Sequence, residues 1–274
     1  MMLESYRQWM QAREYSAGTM EKYSRDVARF FRETGAPDLP DKQTVAAWRD
    51  SLVARGYCVA SVNAMLAAVN SYQECCGNPQ GKARPLKCQR RVFCDAGREL
   101  TRPEYFRLLD AARRTGRKRT LLVLQTLCAT GIRVSELAYI TAEAVHRGRA
   151  AIRCKGKCRE ILLPAPLCKR LERWCRRCRI HTGPVFLTRT GRPLDRVTVW
   201  KEMKALCRQA RVAEEKVFPH NLRHLFARTF YSIEKNLAKL ADLLGHSSIE
   251  TTRIYIMESG AEHQRLLEQM HLLL

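Results

Sequence analysis

Apolar residues recur every three or four positions along most of the chain, the spacing of helices that bury one face. From Thr19 to Thr34, residues Met20, Tyr23, Val27, Phe30 and Phe31 share a face and Gly35 follows, so a helix closed by glycine is predicted there. A second helix is predicted after the cap candidate Thr44, carrying Val45, Trp48 and Leu52. A third begins near Ser61, with Val62, Met65, Leu66, Val69 and Tyr72 at helical spacing. A short helix over Leu3–Gln11 completes four, and residues 1–80 contain no strand pattern.

The periodicity then breaks at Gly77, Pro79, Gly81 and Pro85, which marks 81–100 as a linker. Thr101 and Glu104, with Pro103 between them, form a capping-box signature that opens a second domain, 101–274. In it Tyr105, Leu108, Leu109 and Ala112 mark one helix and Leu121–Cys128 a mostly buried one. Ala150–Arg153 faces Glu160–Leu163 across the turn CKGKCR, a predicted β-hairpin. Pro166 opens an Arg-rich helix running to His181, Val185–Leu187 reads as a strand, and the rest as successive helices. The predicted fold class is mainly α with one small hairpin (α+β), in two unequal domains.

The charge is unevenly placed. The chain of 274 residues carries 49 Lys and Arg against 27 Asp and Glu, a formal +22. Residues 1–80 hold nine of each sign, 81–100 hold six basic and two acidic, and 101–274 hold 34 basic against 16 acidic. Such an excess points to a polyanion, either nucleic acid or an anionic membrane surface. The longest apolar stretch, Leu121–Ala129, is interrupted by Gln125 and Thr126 and is too short to span a bilayer. The start, MMLESYRQWMQARE, has early carboxylates unlike a secretory signal, so an intracellular protein is expected. Twelve cysteines in such a protein are read as thiols. Cys175-x-x-Cys178 with His181, Cys154 and Cys158 has a metal-like spacing, but Cys175 and Cys178 fall in LCKRLERWCRRCRIH, where cysteines keep the helical period. No metal is expected.

Four segments carry chemistry: ATGIRVSEL (Ala129–Leu137), CKGK (Cys154–Lys157), HNLRH (His220–His224) and LLGHSSIETTRIY (Leu243–Tyr255). Attack on a phosphodiester builds charge on its non-bridging oxygens, which fixed guanidinium groups such as Arg133 and Arg223 are suited to hold. Arg133 follows the helix-breaking Gly131 and opens the SEL helix, and Glu136, three residues on, is placed to hold its guanidinium. His220 stands at a helix entrance between Pro219 and Asn221, where an imidazole can give or take a proton. His246 follows Gly245, and Ser247–Glu250 read as the cap and first turn of a helix. Tyr255 lies about six residues into it, on the order of 9 Å from its start. A phenol is a poor nucleophile unless cations and a base surround it.

In these segments, in their order and spacing, the chain resembles the tyrosine recombinases, the integrase family of DNA-strand-exchange enzymes, over nearly its whole length. The resemblance implies a helical, SAM-like core-binding clamp domain (1–80), a basic linker (81–100) and a catalytic domain (101–274). It makes Tyr255 the nucleophile that forms a 3′-phosphotyrosyl link. Arg133 and Arg223 become phosphate ligands, His220 the proton-transfer partner and His246 a hydrogen-bond donor to the phosphate. Lys155 matches the lysine that protonates the departing 5′ oxygen; the family usually has glycine before it where this chain has Cys154, and Lys157 is the alternative. Bond energy stays in the covalent intermediate, so no cofactor is implied. The implied partners are double-stranded DNA with inverted-repeat core sites and three further copies in a tetramer on DNA, with a free monomer and no membrane. Candidate DNA contacts are Arg84, Lys87, Arg90, Arg91, Lys118, Arg119, Lys157, Arg176 and Arg177. The N-terminal unit, with no net charge, needs a local basic face to join the clamp. In the tail, Leu266, Leu267, Met270, Leu273 and Leu274 share a face, and Glu262–Leu274 is expected to exchange between protomers. No arm-type DNA-binding domain is expected before the first helices. The implied setting is the bacterial cytoplasm, at the nucleoid when bound, and the implied role integration or excision of a mobile element. A Xer-like chromosome-dimer resolvase, a non-catalytic DNA-binding protein of this fold and a type IB topoisomerase are the alternatives.

Overall fold

The computed structural model describes residues 2–87, 96–154, 157–246, 248–256 and 268–270. The chain falls into two compact units, Met1–Arg91 and Val92–Leu274. Among the described residues no helix is long and apolar enough to cross a membrane.

The first unit is four helices: α1 (Met2–Ala12), α2 (Ala17–Thr34), α3 (Lys42–Ala54) and α4 (Val59–Cys75). The glycine stop of α2 is as expected: Gly35 takes φ 61° and returns its N–H to the Phe31 carbonyl. Two starts differ from the sequence reading. Ser16 caps α2 by accepting from the Thr19 N–H, so the helix begins two residues early. Asp41, not Thr44, caps α3, its carboxylate accepting the Thr44 N–H at 2.7 Å. A carboxylate at the positive end of the helix is the stronger cap. Phe30, Val45, Trp48, Leu52, Val62, Leu66 and Val69 form one core cluster and Tyr6, Met10, Val27, Ala68 and Tyr72 a second.

The first residues of the expected linker are held along α4. Asn70 exchanges two hydrogen bonds with the backbone of Ala83 (2.9 and 3.1 Å), and Asn63 exchanges two with that of Leu86 (both 2.9 Å). Asn63 and Asn70 lie two turns apart on one face of α4, so their amides hold an extended segment alongside the helix. Ala83 is thereby buried, and the chain stays attached to the first unit through that stretch.

The second unit opens with the predicted capping box, in which Thr101 and Glu104 satisfy each other's backbone N–H groups at the start of α5 (Arg102–Arg114). Then come α6 (Lys118–Thr130), α7 (Ala142–Arg147), β1 (Arg149–Cys154), β2 (Lys157–Leu162) and α8 (Ala165–Cys178). They are followed by α9 (Arg196–Lys204), α10 (Cys207–Ala210), α11 (Pro219–Ile233), α12 (Leu237–Leu244) and α13 (Ile249–Arg253). The buried α6 is the centre, packed against α5, α8, α9 and α11. α8 stops three residues short of the expected end because Arg179 takes the left-handed conformation, φ 57°. Cys175 is buried on that helix and Cys178 exposed. Val185–Leu187 forms no strand; Leu187 makes an isolated bridge with Pro193, and Pro184 one with Thr141. A proline on each pairing lacks the N–H that would extend a ladder.

The hairpin is antiparallel and longer than predicted, with Cys154 already opposite Lys157. Its register pairs Ala150 with Ile161 and Ile152 with Arg159. Ala150, Ile152 and Ile161 are buried, so the alternation sends Arg159 inward with them.

Candidate active site

Three chain reversals, each at a residue the sequence marks, bring the site together. The first follows α6, where Gly131 takes φ 63° with the Phe226 ring of α11 packed where a Cβ would stand. The chain then enters a 3-10 helix, Val134–Tyr139, rather than the α-helix expected. Its third residue, Glu136, is buried and accepts the Arg133 backbone N–H at 2.7 Å and the Arg133 guanidinium at 3.1 Å. The carboxylate therefore holds Arg133 as the spacing suggested, and leaves the Arg133 side chain about half exposed.

The second reversal is the entrance to α11. His220 occupies its first turn and Arg223 the next, where Arg223 is 1% exposed. Its guanidinium donates to the carbonyls of Gly131 (2.5 Å) and Leu244 (2.8 Å) and to His246 Nε2 (2.8 Å), while its buried Nε has no partner among the described residues. Burial pulls the Arg223 pKa down, yet an arginine retains its charge at neutral pH.

The third reversal is Gly245, φ 64°, between α12 and His246. Arg223 can only donate, so His246 Nε2 accepts, which leaves its proton on Nδ1, donated to Thr252 Oγ1 at 2.8 Å. In this arrangement His246 meets an anion only after Arg223 turns away from it. The helix expected to run on to Tyr255 ends at Arg253, and Tyr255 sits on a following 3-10 turn, Ile254–Ile256. The shift brings the phenol inward to 6% exposure. Its ring stacks on His246 (5.5 Å, 19°), the Arg223 Cζ lies 5.9 Å from the ring centre, and its hydroxyl is 3.5 Å from His220 Nε2.

Burial, first, and the surrounding cations push His220, His224 and His246 down to about 4. All three are neutral at pH 7, so His220 can accept a proton. Unfolded histidines titrate near 6.5 and so take up protons that the folded chain refuses until about pH 4. Their contribution to stability is complete above pH 6.5 and is lost as the pH falls toward 4. The denaturation midpoint is expected to drop between about pH 7 and about pH 5; an unchanged or rising midpoint contradicts the neutral cluster.

Arg159, His224, Glu99 and Thr252 were not singled out from the sequence. Arg159 donates to Glu136 (2.6 Å) and to the Leu243 carbonyl (3.1 Å). The His224 ring lies 4.5 Å from that of Tyr255 and faces the Glu99 carboxylate, which is ion-paired with Arg228. Arg159 fell in the expected CKGKCR turn, so its inward position became visible only once β2 was seen to begin at Lys157, and Thr252 carried no signal. Gly245 has a double reason to be glycine: besides its φ, an added Cβ would lie 2.3 Å from Arg159 Cδ. Gly245→Ala is expected to lower stability by about 1–3 kcal/mol and to slow catalysis; thermal melting of the variant measures the first.

Of the candidate DNA contacts, Arg84, Lys87, Lys118, Arg176 and Arg177 are exposed. The Arg119 guanidinium is instead engaged, ion-paired to Glu202 and bonded to the Leu187 carbonyl at 2.6 Å. Lys157 is placed at the start of β2. Lys155, Arg90 and Arg91 lie outside the described residues, as does all of Glu262–Leu274 except 268–270. In the first unit, Lys22, Arg25, Arg29 and Arg32 follow one another along one side of α2 and line a groove with Tyr57 and Ser61, together with Asp26 and Glu33, which pair with Lys22, Arg25 and Arg29. A net charge of zero had hidden this face. Arg29 is tied to Glu33 and Tyr57, whereas Arg25 and Arg32 are exposed.

The model of the phage integrase family matches residues 98–262. The tyrosine recombinase XerA of Pyrococcus furiosus is 28% identical over 280 residues, covering 99% of this chain and 94% of that protein. The chain is similar in fold to XerH site-specific recombinase bound to its difH substrate in a pre-cleavage complex (TM-score 0.69, 19% identity, 97% of this chain and 84% of that one). It is similar also to a lambda integrase tetramer bound to a Holliday junction (TM-score 0.71, 19% identity, 93% and 76%).

Proposed function

The chain belongs to the phage integrase family, and from that premise we propose that Tyr255 is the nucleophile of its strand exchange, with Arg133, Lys155, His220, Arg223 and His246 completing the site. It is a site-specific tyrosine recombinase, an enzyme that cleaves and rejoins DNA. The observation that carries the assignment is the buried Tyr255 hydroxyl beside neutral His220, with Arg223 alongside the ring.

The Tyr255 oxygen attacks the scissile phosphorus as its proton passes to His220 Nε2. Negative charge that builds on the non-bridging oxygens is held by the Arg133 guanidinium, fixed by Glu136, and by the Arg223 guanidinium, which turns from His246 Nε2 toward the phosphate. The buried Nε of Arg223, without a partner among the described residues, is a further donor for that charge. The 5′ oxygen departs with a proton from Lys155, with Lys157 as its alternate. A 5′ hydroxyl of a partner duplex then attacks the phosphotyrosine and takes the reverse course. Because each phosphoester broken is replaced by another, the cycle needs no nucleotide energy source.

Arg84, Lys87, Arg90, Arg91, Lys118, Lys157, Arg176 and Arg177 are assigned to backbone phosphates, which supply affinity rather than sequence preference. Arg119 contributes less, since Glu202 and the Leu187 carbonyl already hold it. To these we add Arg25 and Arg32 of α2, which give 1–80 its part as a core-binding clamp domain. The partners proposed are duplex core sites with inverted repeats and three further copies in a tetramer on DNA, with Glu262–Leu274 exchanged between protomers; the likeness in fold to a lambda integrase tetramer on a Holliday junction supports DNA and the tetramer. The setting proposed is the bacterial cytoplasm, at the nucleoid. The role proposed is integration or excision of a mobile element; the near-complete coverage of XerA favours chromosome-dimer resolution as the second reading.

Covalent trapping is the test. Nicked duplexes tiled from the DNA flanking the gene let the cut strand's end diffuse away, so cleavage accumulates as a protein–DNA adduct. A detergent-stable adduct on one duplex is expected, and none on any inverted-repeat duplex overturns the assignment.

A further inference from the structure

Beyond the groups assigned to the reacting phosphate, a half-buried cation stands in the cluster among the described residues. Arg159 stands on β2 opposite Ile152, with its side chain 16% exposed and on the inner face of the hairpin. Its Nη2 donates to Glu136 Oε2 at 2.6 Å and its Nη1 to the Leu243 carbonyl at 3.1 Å. Glu136 is the carboxylate that fixes Arg133, and Leu243 is two residues before the Gly245 turn that aims His246. The stem of Arg159 fills the space above Gly245, within 2.3–2.8 Å of where a Cβ would lie. One guanidinium thus joins a strand, the 3-10 turn behind Arg133 and the turn before His246, three elements far apart in sequence.

We propose that Arg159 is a positioning residue that holds Arg133, through Glu136, and His246, through the Leu243–Gly245 turn, at the spacing the phosphate requires. Without it, Glu136 loses one of the two cations that fix its orientation, and the Arg133 fork is free to rotate out toward solvent. The Leu243 carbonyl loses a donor and the Gly245 turn its lid. The charge of Arg159 is spent on Glu136, so it contributes geometry rather than a phosphate contact. This rests on the assignment of Arg133, His246 and Tyr255 above, which adduct formation by Tyr255→Phe tests separately.

The experiment uses the full-length chain and the nicked duplex selected by the parent's own adduct. At saturating protein, Arg159→Met is expected to slow the first-order cleavage step about 10–100-fold while the protein concentration that half-saturates binding shifts less than about threefold. Arg159→Lys keeps a half-buried cation but cannot fork between two acceptors, so it is expected to fold and to cleave at an intermediate rate. Combined with Glu136→Gln, the loss is expected to be less than the product of the single losses, because both act through one carboxylate. A duplex with sulfur in place of the bridging 5′ oxygen separates two routes, since a thiolate leaves without a proton. The defect of Arg159→Met is expected to persist on it. Parental cleavage by Arg159→Met or Arg159→Lys, a loss confined to binding, fully multiplicative losses, or full recovery on the sulfur duplex would each overturn the proposal.

Discussion

Tyr255→Phe is expected to abolish the covalent adduct, lowering cleavage at least about 10⁴-fold, while leaving the fold and DNA affinity close to those of the parent. The substitution removes one oxygen and keeps the ring. That ring makes the packing contacts, stacking on His246 and lying against His224, and it belongs to the core cluster of Ala227, Leu240 and Leu244. The hydroxyl lies 3.5 Å from His220 Nε2, a long contact whose loss costs little. Detergent-stable adduct on the nicked duplex, beside equilibrium binding to the intact one, measures both halves. If Tyr255→Phe forms as much adduct as the parent, another residue is the nucleophile.

Arg223→Lys is expected to have the second-largest effect, because Arg223 serves the site and the fold at once. Removing one fixed donor from a transition-state anion typically slows a reaction about 10²–10³-fold, and lysine cannot replace the fork of a guanidinium. The same side chain ties the Gly131 turn to the end of α12 and holds the His246 tautomer. A lysine reaching one of these acceptors leaves the other carbonyl buried and unpaired, at about 1–3 kcal/mol. The cleavage rate at saturating protein and the urea midpoint are therefore expected to fall together. Parental cleavage by Arg223→Lys would remove Arg223 from the phosphate site. The contrast with Tyr255→Phe is diagnostic, since that variant is expected to lose the chemistry alone.

Most of the helices were legible from one short-range rule, that a helix buries every third or fourth residue. The Thr101–Glu104 capping box and the Gly35, Gly131 and Gly245 stops were legible for a similar reason: the groups they satisfy lie within four residues. The motif residues were legible as chemistry, and the structure brings Arg133, His220, Arg223, His246 and Tyr255 into one cluster. Where the reading slipped, a partner distant in sequence had intervened. Asn63 and Asn70 hold 83–86 along α4, and the helix expected to reach Tyr255 ends at Arg253, with the phenol buried on the 3-10 turn that follows.

Local pattern thus determined which segments coil, where they stop and which side chains are able to handle a phosphate. It could not determine what those side chains meet. That His246 is neutral with its proton on Nδ1 follows from Arg223, twenty-three residues away, being unable to accept a hydrogen bond. That Glu136 serves two guanidiniums follows from β2 crossing behind it, and the depressed histidine pKa values follow from burial among arginines drawn from separate elements. Burial and desolvation depend on which elements pack together, and a run of residues read by its own spacing carries no measure of them.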